Sequence, residues 1–172
     1  LVGSEMCIRD RINISNISMK HLILIRHGQS EWNQQKRFTG WVDVGLTDKG
    51  RAEAKKAGEL IKEKKIKLDS FYSSYQKRAN DTLKIVMKEL NEDENLITKK
   101  WQLNERHYGE LTGLNKEDMK KKYGEEKIHQ FRRSWDVKPG ALDRKSPYHP
   151  LNIETYKDIP VSDIPDTESL KD

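Results

Sequence analysis

The stretch KHLILIRHGQSEWN, residues 20–33, decides the reading of the fold: an apolar run from Lys20 to Arg26 stops at a turn and passes into a polar, irregular loop. A short unbroken apolar run bounded by a turn is the pattern of a strand buried on both faces of a sheet. Working outward, Thr47 is placed to cap a helix with Asp48 in its first turn. Ala54, Ala57, Gly58 and Ile61 then fall on one face of about four helical turns. Leu68 to Ser73 reads as a second strand. Beyond it Ala79, Thr82, Leu83, Val86, Met87 and Leu90 recur at helical spacing and predict the best-defined helix of the chain. A third strand is expected at Leu96 to Lys100, and amphipathic helical segments at Lys116 to Tyr123 and Glu125 to Trp135. Alternating strand and helix predicts an α/β sandwich with a largely parallel sheet. Pro147, Pro150, Pro160 and Pro165 mark Val137 to Asp166 as a long surface loop, and Glu168 to Asp172 reads as the start of a helix at which the sequence stops.

The chain has 172 residues, 34% of them hydrophobic, which is lean but sufficient for one buried core and predicts a single soluble domain. Its longest apolar stretch, Leu22 to Ile25, is far shorter than the roughly 20 residues of a membrane-spanning helix, and no secretory signal precedes it. The 33 basic and 28 acidic residues give a formal charge of +5, spread along the chain, which suits an anionic partner. Nucleic acid is excluded as the expected partner by the absence of an aromatic-studded strand or a recognition-helix motif. One cysteine, Cys7, cannot form an intrachain disulfide, so a reducing cytoplasm is the expected compartment.

Residues 1–18 (LVGSEMCIRDRINISNIS) lack periodicity, and their opposite charges cancel. They read as a non-native or disordered leader resembling translated sequencing adaptor, with Met19 as the native start and the domain itself in 19–172.

Arg26-His27-Gly28 follows the apolar run at the place where open α/β sheets put ligand-binding loops, at the carboxyl end of a strand. A histidine there titrates near 6.5, and the neighbouring arginine disfavours its protonated form, leaving a neutral imidazole nitrogen able to attack phosphorus. Gly28 would let a phosphate approach the backbone. Three residues alone say little, but RHGQSEWN (26–33) is joined by FTGWVD (38–43), SYQKRA (74–79) and LNERHYGELTG (103–113). In these strings the chain resembles the cofactor-dependent phosphoglycerate mutases of the histidine phosphatase superfamily, from Lys20 to Lys171.

The resemblance implies a three-layer α/β sandwich with a mostly parallel central sheet flanked by helices, incomplete at its C-terminus, with 19–172 as the N-terminal two-thirds of a single catalytic domain. It implies His27 as the nucleophile that becomes phosphohistidine and Glu105 as the proton donor and acceptor. Arg26, Arg78 and Asn33 match phosphate contacts, and Thr39 and Gly40 match positions that bind substrate through a hydroxyl and a backbone amide. Arg106, Tyr108, Lys116, Arg132 and Arg133 match positions around the carboxylate and second phosphate. Guanidinium forks suit phosphate, and a phosphoryl-transfer transition state needs in-line positioning and positive charge more than covalent help. The implied activity is interconversion of 3-phosphoglycerate and 2-phosphoglycerate in glycolysis, primed by 2,3-bisphosphoglycerate without metal, in a homodimer or larger assembly.

Other chemistry-bearing residues revert to structure. Trp41, Trp101 and Trp135 are expected as core or loop-anchoring aromatics. His21, His129 and His149 lack a functional context, and His107 is expected to shape the pocket. Glu92, Asp93 and Glu94 read as a solvated turn rather than a metal site.

The family's second catalytic histidine, in a His-Gly-Asn-like string, is not present among these residues. A missing transition-state donor costs about 100- to 1,000-fold in rate, so the chain as written is expected to be poorly stable and nearly inactive. Bisphosphoglycerate mutase resembles RHGEG and FCSW where this chain has Gln29-Ser30 and Thr39-Gly40, which favours the glycolytic mutase. A histidine phosphatase acting on small phosphate esters, or a catalytically dead anion-binding fragment, are the alternatives.

Overall fold

Thr47 starts the longest helix as its spacing requires. Its hydroxyl accepts the Gly50 amide, Asp48 faces the positive helix end, and the helix runs Asp48–Glu63. A computed structural model of the chain describes residues 21–172; the leader, Met19 and Lys20 lie outside the described residues. A four-residue helix precedes this one, so the two are α1 (Glu31–Gln34) and α2 (Asp48–Glu63). The chain continues through β1 (Phe71–Ser73), α3 (Lys77–Leu90), β2 (Ile97–Lys99), α4 (Lys116–Tyr123) and α5 (Glu125–Arg133).

β1 and β2 pair in parallel with Phe71 opposite Ile97 and Ser73 opposite Lys99, and α3 is the crossover between them. The buried side chains of α2 (Ala54, Ile61) and α3 (Thr82, Val86, Met87) fall on the predicted stripes. Gly58 allows the two helices to close up: a Cβ there would lie 2.8 Å from Glu89 Cβ and 3.1 Å from the Val86 carbonyl. The α/β class follows from this helix-covered parallel pair, with the strands shorter than the sequence suggests.

Four expectations are corrected. Residues 21–26 carry no strand, and Leu22 and Leu24 are 84% and 85% exposed. A strand exists only by pairing, and among the described residues no strand lies against this run. It instead borders an open groove of about 1200 Å³ shared with Leu68, Phe71, Leu83 and Leu103. Val137 to Asp166 is irregular but is not merely surface. The short 3₁₀ turns Pro150–Asn152, Glu154–Tyr156 and Val161–Asp163 turn Tyr156, Ile159 and Ile164 inward against Trp41. The Tyr156 hydroxyl donates to the Trp41 carbonyl at 2.6 Å. Trp41 is therefore core and Trp101 packs beside it. Trp135, by contrast, is 65% exposed, because α5 ends two residues earlier where Ser134 turns out and donates its hydroxyl to the Gln130 carbonyl. Residues 168–172 form no helix: the Asp172 carboxylate accepts both the amide and the hydroxyl of Ser169 and closes a tight turn.

A second cluster, Phe38, Leu111, Ile128 and Phe131, seats α5 under the loop that carries LNERHYGELTG. Two of the hydrophobic clusters thus lie beneath loops rather than beneath the sheet, and these loops carry the residues expected to do chemistry.

Candidate active site

The RHG loop is pinned from three sides. Ser30 caps α1 reciprocally with Asn33, its hydroxyl accepting the Asn33 amide while the Asn33 side-chain oxygen accepts the Ser30 amide. The Gly28 amide donates to the Thr82 hydroxyl at 3.1 Å, and that hydroxyl donates to the Arg78 carbonyl at 2.8 Å, tying the loop to α3. Gly28 also rests on the first turn of α2, where a Cβ would come 2.1 Å from the Gly50 carbonyl. Its lack of a side chain is needed for this backbone packing.

His27 Nδ1 lies 2.7 Å from the Gly28 carbonyl, which can only accept, so Nδ1 carries the proton. Arg78 Nε donates to Nε2 at 3.3 Å, which requires Nε2 to present its lone pair. Burial lowers the His27 pKa from its ordinary 6.5, and the charges of Arg78 and Arg26 press the same way against the Gly28 hydrogen bond and Glu105. The imidazole is therefore neutral at pH 7, with Nδ1 locked and the Nε2 lone pair turned to Arg78.

Arg78 is fully buried and organises the site. Besides His27 it donates to the Val42 carbonyl (3.0 Å), the Gly40 carbonyl (2.8 Å), Gln76 Oε1 (3.0 Å) and Glu105 Oε2 (2.9 Å). Gly40 reaches this position with a left-handed φ of +54°, where a Cβ would crowd the Tyr108 amide and the Arg106 carbonyl. Gln76, at the N-cap of α3, accepts from Arg78 and from the Glu105 amide and donates to the Gly40 carbonyl. It lies within the SYQKRA string but was not singled out from sequence. Its buried, fully engaged amide shows it to be part of the frame.

Around Glu105 stand the other cations. Arg106 donates to the Phe131 carbonyl at 2.7 Å and lies over the Tyr108 ring at 4.8 Å, while its buried Nη1 has no partner among the described residues. Lys116 sits 5.7 Å from the Phe38 ring centre. Burial and then the charges of Arg132 and Arg26 push its pKa down. Burial and then Glu105 raise the Tyr108 pKa, with Arg106 and Arg132 opposing. Arg26, Glu105, Arg106, Tyr108, Lys116 and Arg132 thus share one electrostatic neighbourhood. Thr39 is buried next to Gly40, and Asn33 is engaged in capping α1. Arg133 is exposed at the end of α5, and among the described residues no hydrogen bond or ion pair connects it to the others. No group of three or more His, Cys, Asp or Glu among the described residues is arranged to hold a metal, and no helix among them is long and apolar enough to cross a membrane.

His107 and His149, given no catalytic role, are both fully buried, with ring centres 6.0 Å apart. His107 Nδ1 accepts the Gly109 amide at 2.9 Å, and its Nε2 lacks a hydrogen-bond partner among the described residues. Burial, with the nearby charge of His149, lowers its pKa to about 4 against the opposing effect of Asp166. In the unfolded chain it titrates near 6.5, so the unfolded state takes up the proton first as pH falls. Stability is whole above 6.5 and declines towards pH 4, by about 3 kcal/mol from this group. The urea midpoint should therefore drop further between pH 7 and pH 4.5 in the wild-type chain than in His107→Gln.

A neutral imidazole thus turns its unprotonated nitrogen to a buried guanidinium that also holds a carboxylate. The chain belongs to the histidine phosphatase superfamily (branch 1), whose pattern it matches over residues 22–149. It is 68% identical over 154 residues to a 2,3-bisphosphoglycerate-dependent phosphoglycerate mutase of Pelagibacter ubique, covering 90% of this chain and 64% of that one. A Bacteroides fragilis protein of the same description is 49% identical, with 90% and 62% covered. The chain thus spans somewhat less than two thirds of the length of these relatives, and the resemblance seen in its motifs is borne out. Among solved structures it is similar to Bacillus stearothermophilus YhfR, with TM-score 0.53 and 28% identity over 64% of this chain and 51% of that one. A mycobacterial glucosyl-3-phosphoglycerate phosphatase shares the fold at TM-score 0.57 and 24% identity, over 66% and 53% of the two chains.

Proposed function

We propose that this chain is part of a glycolytic phosphoglycerate mutase that interconverts 3-phosphoglycerate and 2-phosphoglycerate through a phosphohistidine on His27. The observation that carries the reading is the pair of contacts on His27: Nδ1 locked to the Gly28 carbonyl and Nε2 turned to Arg78. 2,3-Bisphosphoglycerate supplies the priming phosphoryl group. The unpartnered Nη1 of Arg106, with Lys116 and Arg132 near it, suits so anionic a ligand.

In the priming step the Nε2 lone pair forms a bond to phosphorus while the bond from phosphorus to the sugar-acid oxygen breaks. Glu105 in its protonated form gives its proton to the departing oxygen. In the return step Glu105 takes the proton from the attacking hydroxyl, the new oxygen–phosphorus bond forms and the Nε2–phosphorus bond breaks. Arg78 touches both groups and keeps positive charge beside the transferring phosphoryl group throughout. Arg26, Asn33, Thr39 and Gly40 fit its near side, and Arg106, Tyr108, Lys116, Arg132 and Arg133 the substrate's distal anionic groups. The working enzyme is read as cytoplasmic and as a homodimer or larger.

Transfer to water is the second reading, favoured by the 37% exposure of the Glu105 side chain. It would make the protein a phosphatase of small phosphate esters.

Incubation with 2,3-bisphosphoglycerate should add one acid-labile phosphoryl group, found by intact-mass analysis and absent from His27→Ala. Only the neutral imidazole attacks, so the loss of labelling that comes from protonating His27 should set in only below pH 6.5, because the His27 pKa lies under its ordinary value. Binding without labelling would leave an anion-binding module.

A further inference from the structure

The loop that carries Glu105, Arg106 and Tyr108 is held at one end by α3 and at the other by a distant part of the chain. On the α3 side the Glu105 amide donates to Gln76, and Asn104 accepts the Tyr75 amide at 3.0 Å. On the far side the His107 amide donates to Glu168 Oε2 at 2.5 Å, and the Glu168 amide donates back to the His107 carbonyl at 3.1 Å. Both backbone groups of His107 are thereby taken by one residue 61 positions away.

The segment that presents Glu168 is itself anchored. Asp166 receives both Nε and Nη2 of Arg144, at 2.9 and 3.0 Å, and lies 3.0 Å from His149 Nε2, while its carbonyl accepts the Leu142 amide. The Thr167 hydroxyl donates to the Pro139 carbonyl at 2.9 Å. Next to this, Gly109 packs so closely that a Cβ would come 2.0 Å from the Gly140 carbonyl. Residues 139–144 and 166–168 thus form a stiff backing for the loop, and Glu168 is the side chain that joins the two.

We propose that Glu168 is a positioning residue for phosphoryl transfer, its carboxylate fixing the His107 peptide so that Glu105 and Arg106, on one side of it, and Tyr108, on the other, face the reacting groups together. This rests on the mutase reading. A hydrogen bond from a backbone amide to a carboxylate is charge-assisted and short, and it restrains the peptide in two dihedrals at once. The neighbouring Glu105 must be held to within a fraction of an ångström to exchange a proton in the transition state.

The test uses the whole chain with the variants Glu168→Ala, Glu168→Asp and Glu168→Gln. Two readings are taken: hydrogen exchange of the His107 amide, and transfer from phospho-His27 to 3-phosphoglycerate at varied concentration. Glu168→Ala and Glu168→Asp, which cannot reach the amide, should speed exchange at His107 by about tenfold or more. They should slow the maximal transfer rate about tenfold and raise the half-saturating concentration by less, since Arg106 and Tyr108 shift with the loop while Arg26, Lys116 and Arg132 lie outside it. Glu168→Gln keeps an acceptor oxygen at full length and should restore most of both. If Glu168→Ala fails to fold, the contrast between Glu168→Asp and Glu168→Gln decides. Loss of binding and rate together in all variants, or an unchanged transfer rate in Glu168→Asp, overturns the proposal. A wild-type chain that takes no phosphoryl group overturns the mutase reading, and the transfer role of Glu168 with it; labelled wild type with unaffected variants overturns the Glu168 role alone.

Discussion

Arg78→Ala is expected to slow phosphorylation of His27 by about 100-fold or more and to lower stability by about 3 kcal/mol. The guanidinium is fully buried and donates to the carbonyls of Gly40 and Val42, to Gln76, to Glu105 and to His27 Nε2. Removing it leaves the buried carbonyls without their donors, so most of the stability loss comes from them. The ion pair with Glu105 contributes less, because the Glu105 side chain is partly exposed and its charge is screened. Arg78→Lys should recover only a small part of either loss, since one ammonium cannot serve five acceptors spread around a planar fork. Denaturant titration and the labelling rate measure the two effects separately. A variant with native stability and native labelling would show that Arg78 is not the organising group.

Glu105→Gln should slow transfer from phospho-His27 to 3-phosphoglycerate by about 100- to 10,000-fold while leaving the fold intact. An amide keeps the size and one oxygen for Arg78 but cannot take the proton from the attacking hydroxyl. Stability should change little, because the 2.9 Å contact with Arg78 can persist with a neutral acceptor. Rapid-quench measurement of the phosphoenzyme, with melting followed in parallel, separates chemistry from folding. Transfer within a few-fold of wild type would remove Glu105 from the proton-handling role.

The parts of the fold legible in the sequence are those whose signal is local. The stripe Ala79, Thr82, Leu83, Val86, Met87 and Leu90 describes α3 because a helix satisfies its own backbone, and Thr47 marks the start of α2 for the same reason. The run 21–26 misleads because apolar residues announce what can be buried, whereas a strand needs a neighbour that no local pattern specifies. The prolines between 147 and 165 correctly mark irregular chain. They hide Tyr156, Ile159 and Ile164, which reach the core through 3₁₀ turns rather than through a periodic element.

The site divides in the same way. His27, Arg78 and Glu105 stand in motifs that can be recognised, and the structure brings His27 and Glu105 to the guanidinium of Arg78. Gly28 stands in the same motif, and its small size is required by the Gly50 carbonyl of α2, a contact that no local pattern announces. Gln76 and Glu168 act through long-range contacts with backbone groups, and nothing in their own neighbourhoods announces that. Arg133 matches a binding position by context, and at the end of α5 it stands exposed, with no hydrogen bond or ion pair among the described residues to announce a role.

The central claim is that His27 is a neutral nucleophile whose Nδ1 is held by the Gly28 carbonyl, leaving Nε2 to take the phosphoryl group. The most direct measurement is phosphorus NMR of the chain after exposure to 2,3-bisphosphoglycerate, with the labelled nitrogen identified from its coupling to the imidazole. The expected result is a single phosphohistidine on Nε2 of His27 that is absent from His27→Ala. A phosphoryl group on Nδ1, on another residue, or none at all would contradict the account.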